Sequence, residues 1–338
     1  MEISVSKNTT IFSSNKLPAA CVAALLLLIL TEALIYVNRP LFIKDYWNKF
    51  LINEHSLIDQ KRDYDYLIIG DSIQKTGIDP LKVDNDLLSL GLPGGKPMSQ
   101  YLLLDRYLKT HKPPKAIFLY IDPEAPMDSL FVILRYFVSI PEAITIWRDL
   151  KWSEKQIYLM KFWASLDLRK TGLIKRAEYS GTNTKFLDTM IANRGYMPIP
   201  DADKSIGDDY FKNHKDRYQR AISFSKNDLK YLDKLTALAE SKKIRVVFIG
   251  FVLPKELHDI LEISGFNKSY WAFFKYLQVR YKKAYFVKQN IMFLDNKYFG
   301  DQAHVNNEGS EIYTEYFKNK IFMPMKAAIE NIAVKADN

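Results

Sequence analysis

From Leu17 to Val37 the chain is apolar at almost every position, Leu25-Leu26-Leu27-Leu28-Ile29-Leu30 included, with Glu32 as the one ionisable interruption. About 20 such residues suffice to cross a bilayer, so the run predicts a single N-terminal transmembrane helix over 17–37. Beyond it the pattern changes to short apolar blocks divided by polar and helix-period stretches. Tyr66-Leu67-Ile68-Ile69, Leu87 to Gly91, Ala116 to Ile121, Ile244 to Gly250 and Ile291 to Asp295 each read as a strand. An unbroken apolar run of that kind suits a strand covered on both faces. Met98 to Thr110, Asp228 to Ser241 and Tyr270 to Tyr281 carry apolar residues at helical spacing, and Ile312, Tyr316 and Phe317 mark a last helix. Strand and helix alternating five times predict a parallel sheet with helices on both faces.

The boundaries that follow are a cytoplasmic tail over 1–16, the span over 17–37, a juxtamembrane connector over 38–64, a folded domain over 65–325 and a tail over 326–338. Tyr46, Trp47 and Phe50 in the connector suit the membrane interface, where aromatic rings are favoured. Between the third and fourth strands, 126–225 far exceeds the roughly 30 residues of a βαβ crossover, and reads as an inserted, mostly helical lid. Its Trp147, Trp152 and Trp163, with Phe131, Leu134, Tyr136 and Phe137, are expected to form a small core of the insertion's own. The alternative is contact with sugar rings, the membrane or a partner protein. Lys7 and Lys16 precede the span with few acids, which favours a cytoplasmic N-terminus, while Arg39, Lys44 and Lys49 on the far side oppose it. A cleaved secretory signal is the rival, for which Thr31-Glu32-Ala33 is a poor cleavage site. Cys21, the sole cysteine, lies inside the span and excludes an intrachain disulfide. As a lipoprotein acceptor it is misplaced, since the apolar run follows it.

Candidate chemistry starts at Gly70-Asp71-Ser72. A glycine after the first strand lets the backbone turn sharply and sets Ser72 at the carboxyl end of a central strand, where ligands bind in open α/β sheets. A serine hydroxyl becomes a good nucleophile when an imidazole takes its proton and a carboxylate orients that imidazole. Asp301-Gln302-Ala303-His304, after the fifth strand and before the last helix, supplies both. Ser72 is therefore assigned as nucleophile, His304 as general base and then acid, and Asp301 as the orienting carboxylate. His258 is read as a surface histidine.

Gly70-Asp71-Ser72 together with Asp301-x-x-His304 resembles the first and last motif blocks of the SGNH (GDSL-like) hydrolase superfamily. The resemblance implies a flavodoxin-like three-layer sandwich. It is closest in kind to membrane-anchored members acting on cell-envelope polymers, such as the alginate acetylation proteins and the D-alanyl transfer protein of teichoic acids. It also implies that Gly91, in Ser89-Leu90-Gly91, donates its amide to the oxyanion beside the Ser72 amide, with Gly94 in reserve. The alternative is that Gly91 only permits a turn. The asparagine of the third block is missing, because the chain reads Tyr120-Ile121-Asp122-Pro123-Glu124, where Asp122 is better read as a helix N-cap with proline following. Arg194, in a glycine-containing turn, is a candidate for a substrate carboxylate or phosphate.

The net charge of +9 and pI near 9.2 suit a polyanionic partner, but the lysines are spread along the chain without a basic block, which argues against nucleic acid. Zinc-ligand clusters, phosphate-binding glycine loops and dinucleotide fingerprints are absent from the sequence, so neither metal nor cofactor is expected. The resemblance implies a single-pass protein of the cytoplasmic membrane with an extracytoplasmic serine acyltransferase domain. It would pass an acyl group from a donor, presented by a multi-pass membrane O-acyltransferase, to a glycan. The alternatives are an esterase or deacetylase using the same residues, and a silent anchored scaffold.

Overall fold

The sheet is built outward from β1 (Tyr66–Ile69), whose four residues are all buried. The computed structural model describes residues 16–37, 46–121, 137–152, 155–156, 180–199, 226–287 and 291–336. β1 pairs in parallel with β2 (Leu87–Ser89) on one side and with β3 (Ala116–Tyr120) on the other. β3 pairs with β4 (Arg245–Ile249), which runs on past Gly250 as β5 (Phe251–Pro254). β4 pairs with the two-residue β6 (Tyr285–Phe286), and β5 with β7 (Ile291–Leu294), all in parallel. The main sheet thus has five strands in the order β2-β1-β3-β4-β6. The chain leaves β1 for β2 on one side and returns to β3 on the other. That places the topological switch at the carboxyl end of β1, where such sheets bind ligands.

The fifth strand differs from the sequence reading. Ile291–Leu294 lies in a separate two-stranded sheet with Phe251–Pro254, and the fifth place of the main sheet is taken by Tyr285–Phe286. The register moves on by two residues between the pairs Phe248–Phe286 and Phe251–Ile291, so one strand position is filled in two steps. β2 is also shorter than the apolar run suggested, since Leu90 and Gly91 already belong to the loop.

Among the helices are α1 (Lys16–Val37), α2 (Tyr46–Ile58), α3 (Ser72–Gly77), α4 (Pro80–Val83), α5 (Pro97–Thr110), α6 (Ile140–Asp149), α7 (Ser180–Ala192) and α8 (Lys226–Ser241). They are followed by α9 (Leu257–Ile263), α10 (Phe266–Arg280), α11 (Asn307–Tyr316) and α12 (Met323–Ala336), the last two joined by a π-helical stretch, Phe317–Phe322. α5 and α8 lie against each other, while α11 lies against α3 and α4. Along β1 and β3, Tyr66 and Phe118 share one face of the sheet and meet Phe322 at centroid distances of 5.0 and 5.4 Å. Full burial of such side chains is worth roughly 1.5–3 kcal/mol each.

Over the described residues alone, no helix is long and apolar enough to cross a membrane. The expected span at 17–37 coincides with α1, part of whose side chains lie outside the description. Of the insertion, Phe131, Leu134, Tyr136 and Trp163 lie outside it, as does Asp122. The described parts correct the expectation of a separate core. Phe137, Ile146, Leu150 and Met190 are buried in the same cluster as the sheet, with Trp147 packed against it, while Trp152 is exposed.

The insertion is tied to the body at Phe137 and Glu142. Arg106 on α5 donates from Nε to Glu142 Oε1 at 2.6 Å and from Nη2 to the carbonyl of Phe137 at 2.9 Å, while Nη2 also reaches Glu142 Oε2. Ser139 donates its amide and hydroxyl to the same carboxylate, capping α6. Burial pushes the Glu142 carboxyl up, but the Arg106 and Ser139 bonds outweigh it and hold the pKa at about 2. Because this folded value lies below the ordinary 4.5, the stabilisation is present above that pH and fades as pH falls towards 2. Glu142→Gln is accordingly expected to remove roughly 3 kcal/mol of the stability at neutral pH. The wild-type advantage should shrink steadily below about pH 4.5 in thermal melts, and a gap independent of pH would contradict this account.

Candidate active site

Ser72 is the first residue of α3, a helix of six residues. The cap just before it is Asp71, whose Oδ1 accepts the Ile73 amide at 2.7 Å, while Gln74 Oε1 accepts the Asp71 amide at 3.2 Å. This reciprocal box satisfies donors at the helix start and fixes the entry of the chain into the turn. Asp71-x-x-Gln74 carries that signal in the sequence, and it was not part of the motif-based assignment.

The other partners come from a loop between Phe299 and Val305, closed by an antiparallel bridge between those two buried residues. Its ends are held further by the Gly300 amide donating to the His304 carbonyl at 3.0 Å. α11 follows directly, capped by Asn306, whose Oδ1 accepts the Gly309 amide at 3.0 Å. The loop presents His304 Nε2 at 2.7 Å from Ser72 Oγ. On the other side of the ring, Nδ1 stands 2.9 and 2.8 Å from the two oxygens of Asp301. Asp301 Oδ1 also accepts the amides of Ala303 and His304, each at 2.8 Å. Burial would raise the Asp301 carboxyl, but the His304 ring and these amides prevail and hold it below its ordinary value. The carboxylate thus stays charged and selects the tautomer with hydrogen on Nδ1, leaving the Nε2 lone pair for the serine proton.

Compared with models of protein families and with curated protein sequences, the chain matches none.

The three residues assigned from the sequence are thus brought together, and the glycines follow. After β2 the chain continues beside the nucleophile turn, the Leu90 amide donating to Ile68 O at 2.7 Å and the Leu92 amide to Gly70 O at 3.2 Å. Gly91 is buried so closely that a Cβ would lie 2.5 Å from the Asp71 carbonyl oxygen. Its missing side chain is therefore required by this approach, whatever its amide does. Among the described residues no acceptor takes the amide protons of Ser72 or Gly91. Gly94 has φ +64°, and with the Gly95 amide donating to Leu92 O at 2.8 Å it forms the third position of a turn whose second is Pro93. Gly95, not singled out from the sequence, abuts the same turn, since a Cβ there would meet Gly70 O at 2.3 Å.

Arg194 is not brought to this rim. Its Nη1 donates to the carbonyls of Asp84 and Asn85 at 3.0 and 2.7 Å, ahead of the amino end of β2. Its own carbonyl accepts the Ser89 amide at 3.0 Å, so its part in the described structure is to dock the insertion on β2. At the end of β3, where the resemblance implies an asparagine, the residues from 122 to 136 lie outside the description. There Gln100, fully buried, donates from Nε2 to the Tyr120 carbonyl at 2.6 Å. A cleft of about 540 Å³ lined by Arg245, Arg280 and Lys283 opens at the amino end of β4, opposite to Ser72, and bears on none of these groups. Among the described residues, no group of three or more His, Cys, Asp or Glu side chains could hold a metal.

Proposed function

We propose that the chain is a membrane-anchored serine acyltransferase of the SGNH kind, acting on a cell-envelope polysaccharide or other glycan. The observation that carries this reading is the continuous relay from Ser72 Oγ through the His304 ring to Asp301, at 2.7 Å and 2.8 Å. In the first half-reaction Ser72 Oγ attacks the carbonyl carbon of the donor ester while His304 Nε2 takes its proton. The tetrahedral oxyanion is met by the amides of Ser72 and Gly91, and its collapse expels the donor alcohol with the proton from His304. In the second half, a sugar hydroxyl attacks the acyl-serine, His304 takes the hydroxyl proton, and the ester passes to the glycan as that proton returns to Ser72.

The strand order supports the flavodoxin-like member of the α/β class, with the switch point beside Ser72. α1 supports the anchor. Val22, Leu25, Leu27, Leu30 and Leu34 on it are more than half exposed, which water does not favour but lipid does. On this reading the domain lies outside the cytoplasmic membrane, the insertion over 126–225 acts as a lid, and the acyl donor is presented by a multi-pass membrane O-acyltransferase.

A fluorophosphonate probe tests the nucleophile: labelling is expected on Ser72 of the full chain and lost in Ser72→Ala and His304→Ala. Absence of labelling in the wild type would leave a silent anchored scaffold. An acetyl ester supplied with and without an oligosaccharide tests the acceptor. Acetyl transfer to the sugar is expected, and equal release of free acetate in both cases would make the protein an esterase instead.

A further inference from the structure

Lys75 and Glu54 are both fully buried, with Lys75 Nζ 2.9 Å from Glu54 Oε2. A buried ion pair is a weak device for stability, because apolar residues of the same size often do as well or better. Burial opposes both charges, raising the Glu54 carboxyl and lowering the Lys75 ammonium, against their mutual attraction. Among the described residues Glu54 Oε1 has no hydrogen-bond partner, and the Phe50 ring lies 5.1 Å from Nζ. A reason other than stability is needed for this pair.

Its location supplies one. Lys75 lies on α3 one turn after Ser72, and a six-residue helix is too short to hold its own direction. The direction of α3, and with it the aim of the Ser72 hydroxyl, is set by what grips the helix. At the far end α11 does so, Ser310 Oγ and Thr314 Oγ1 donating to the Gly77 carbonyl at 3.2 and 3.3 Å. Since α11 follows the His304 loop, this grip relates the nucleophile to its base. In the middle, the Lys75 carbonyl accepts the Met197 amide at 3.2 Å and the Lys75 side chain is held by Glu54 of α2. The Gly91 loop leans on the same residue, since a Cβ at Gly91 would come 2.9 Å from Lys75 Cβ. A displaced Lys75 would therefore disturb both the nucleophile and the loop that faces it.

We propose that Lys75 and Glu54 are positioning residues, a buried pair that fastens the Ser72 helix to α2 and so holds the hydroxyl in register with His304 and the Gly91 loop. This deepens the serine acyl-transfer reading and rests on it. It also makes α2, the first described helix after α1, a structural part of the site.

The test uses the full chain with the double substitution Glu54→Leu and Lys75→Met, which removes both charges while keeping apolar bulk. Three quantities are read: the thermal midpoint, the pH profile of fluorophosphonate labelling, and the nitrogen NMR shifts of the His304 ring. The double variant is expected to melt within a few degrees of wild type, yet to label about 10–100-fold more slowly and with a shifted pH profile, as a small misplacement of reacting groups does. The nitrogen shifts of the His304 ring should move as well, because the ring loses its settled partner. Wild-type labelling with an unchanged profile would overturn the proposal and leave the pair as core filling. If the double variant does not fold, Glu54→Gln, which keeps shape and one oxygen for Lys75, is judged by the same two outcomes. If the wild type itself is not labelled, the acyl-transfer reading falls and the NMR decides alone: unmoved nitrogen shifts of the His304 ring in the variant overturn the positioning role.

Discussion

Asp301→Asn is expected to slow reaction at Ser72 by about 10³–10⁴-fold while leaving the thermal midpoint close to wild type. The carboxylate faces Nδ1 with both oxygens and is anchored by two backbone amides, so an isosteric amide fits the same space. What changes is the proton. An amide can turn its NH₂ towards Nδ1, and the ring then carries its hydrogen on Nε2, which points at Ser72 and can no longer accept from it. Labelling rates across pH decide the matter. Because the Asp301 pKa is held below its ordinary value, the carboxylate is charged throughout the neutral range, and the deficit of the variant should be flat there. It should narrow only in acid, where the wild type loses the same charge. Equal labelling by Asp301→Asn and wild type at neutral pH would remove Asp301 from the relay.

Phe118→Ala is expected to cost about 3–5 kcal/mol. Phe118 is fully buried at the middle of β3 and touches rings from both directions of the chain: Tyr66 on β1 at 6.5 Å, Phe317 at 5.4 Å and Phe322 at 5.4 Å. The π-helical stretch brings Phe317, Ile321 and Phe322 into the core together. Removal of the Phe118 ring leaves a cavity that these side chains can only partly fill, and the loss should concentrate where α11 and α12 are held to the sheet. Denaturant titration would give the total, and amide exchange should quicken first in Asn307–Ala336. A loss under 1 kcal/mol, or exchange unchanged there, would contradict this account of how the C-terminal helices are fastened.

The sheet was legible because its strands are unbroken apolar runs. Tyr66–Ile69 and Ala116–Tyr120 are buried on both faces, and such strands leave no ambiguity of face. The edge was not legible. Tyr285–Phe286 is two residues long and half-buried, below what any pattern can mark, and the apolar run at Ile291–Leu294 took its place in the reading. Ser72, Asp301 and His304 carry their chemistry in their side chains and a short spacing, so their meeting could be expected from the sequence. Lys75 and Glu54 were missed because charged residues in amphipathic surroundings look like solvated ones until both are seen fully enclosed. Arg194 was misassigned for the converse reason. A cation in a glycine turn suggests an anion, whereas here φ +50° at Arg194 and +87° at Gly195 shape a turn whose purpose is to meet Ser89.

That turn has a consequence for how copies of the protein behave when crowded together. The outer rim of β2 would otherwise offer a free Ser89 amide to any extended peptide, and the Arg194 carbonyl already occupies it. A side chain at Gly195 would collide with the Ser89 carbonyl, so the fit is close enough to keep an intruding strand out. At the opposite rim the two-step change of partner leaves, among the described residues, no long straight ladder to template on. Neighbouring molecules are thereby denied the commonest route to cross-β aggregation.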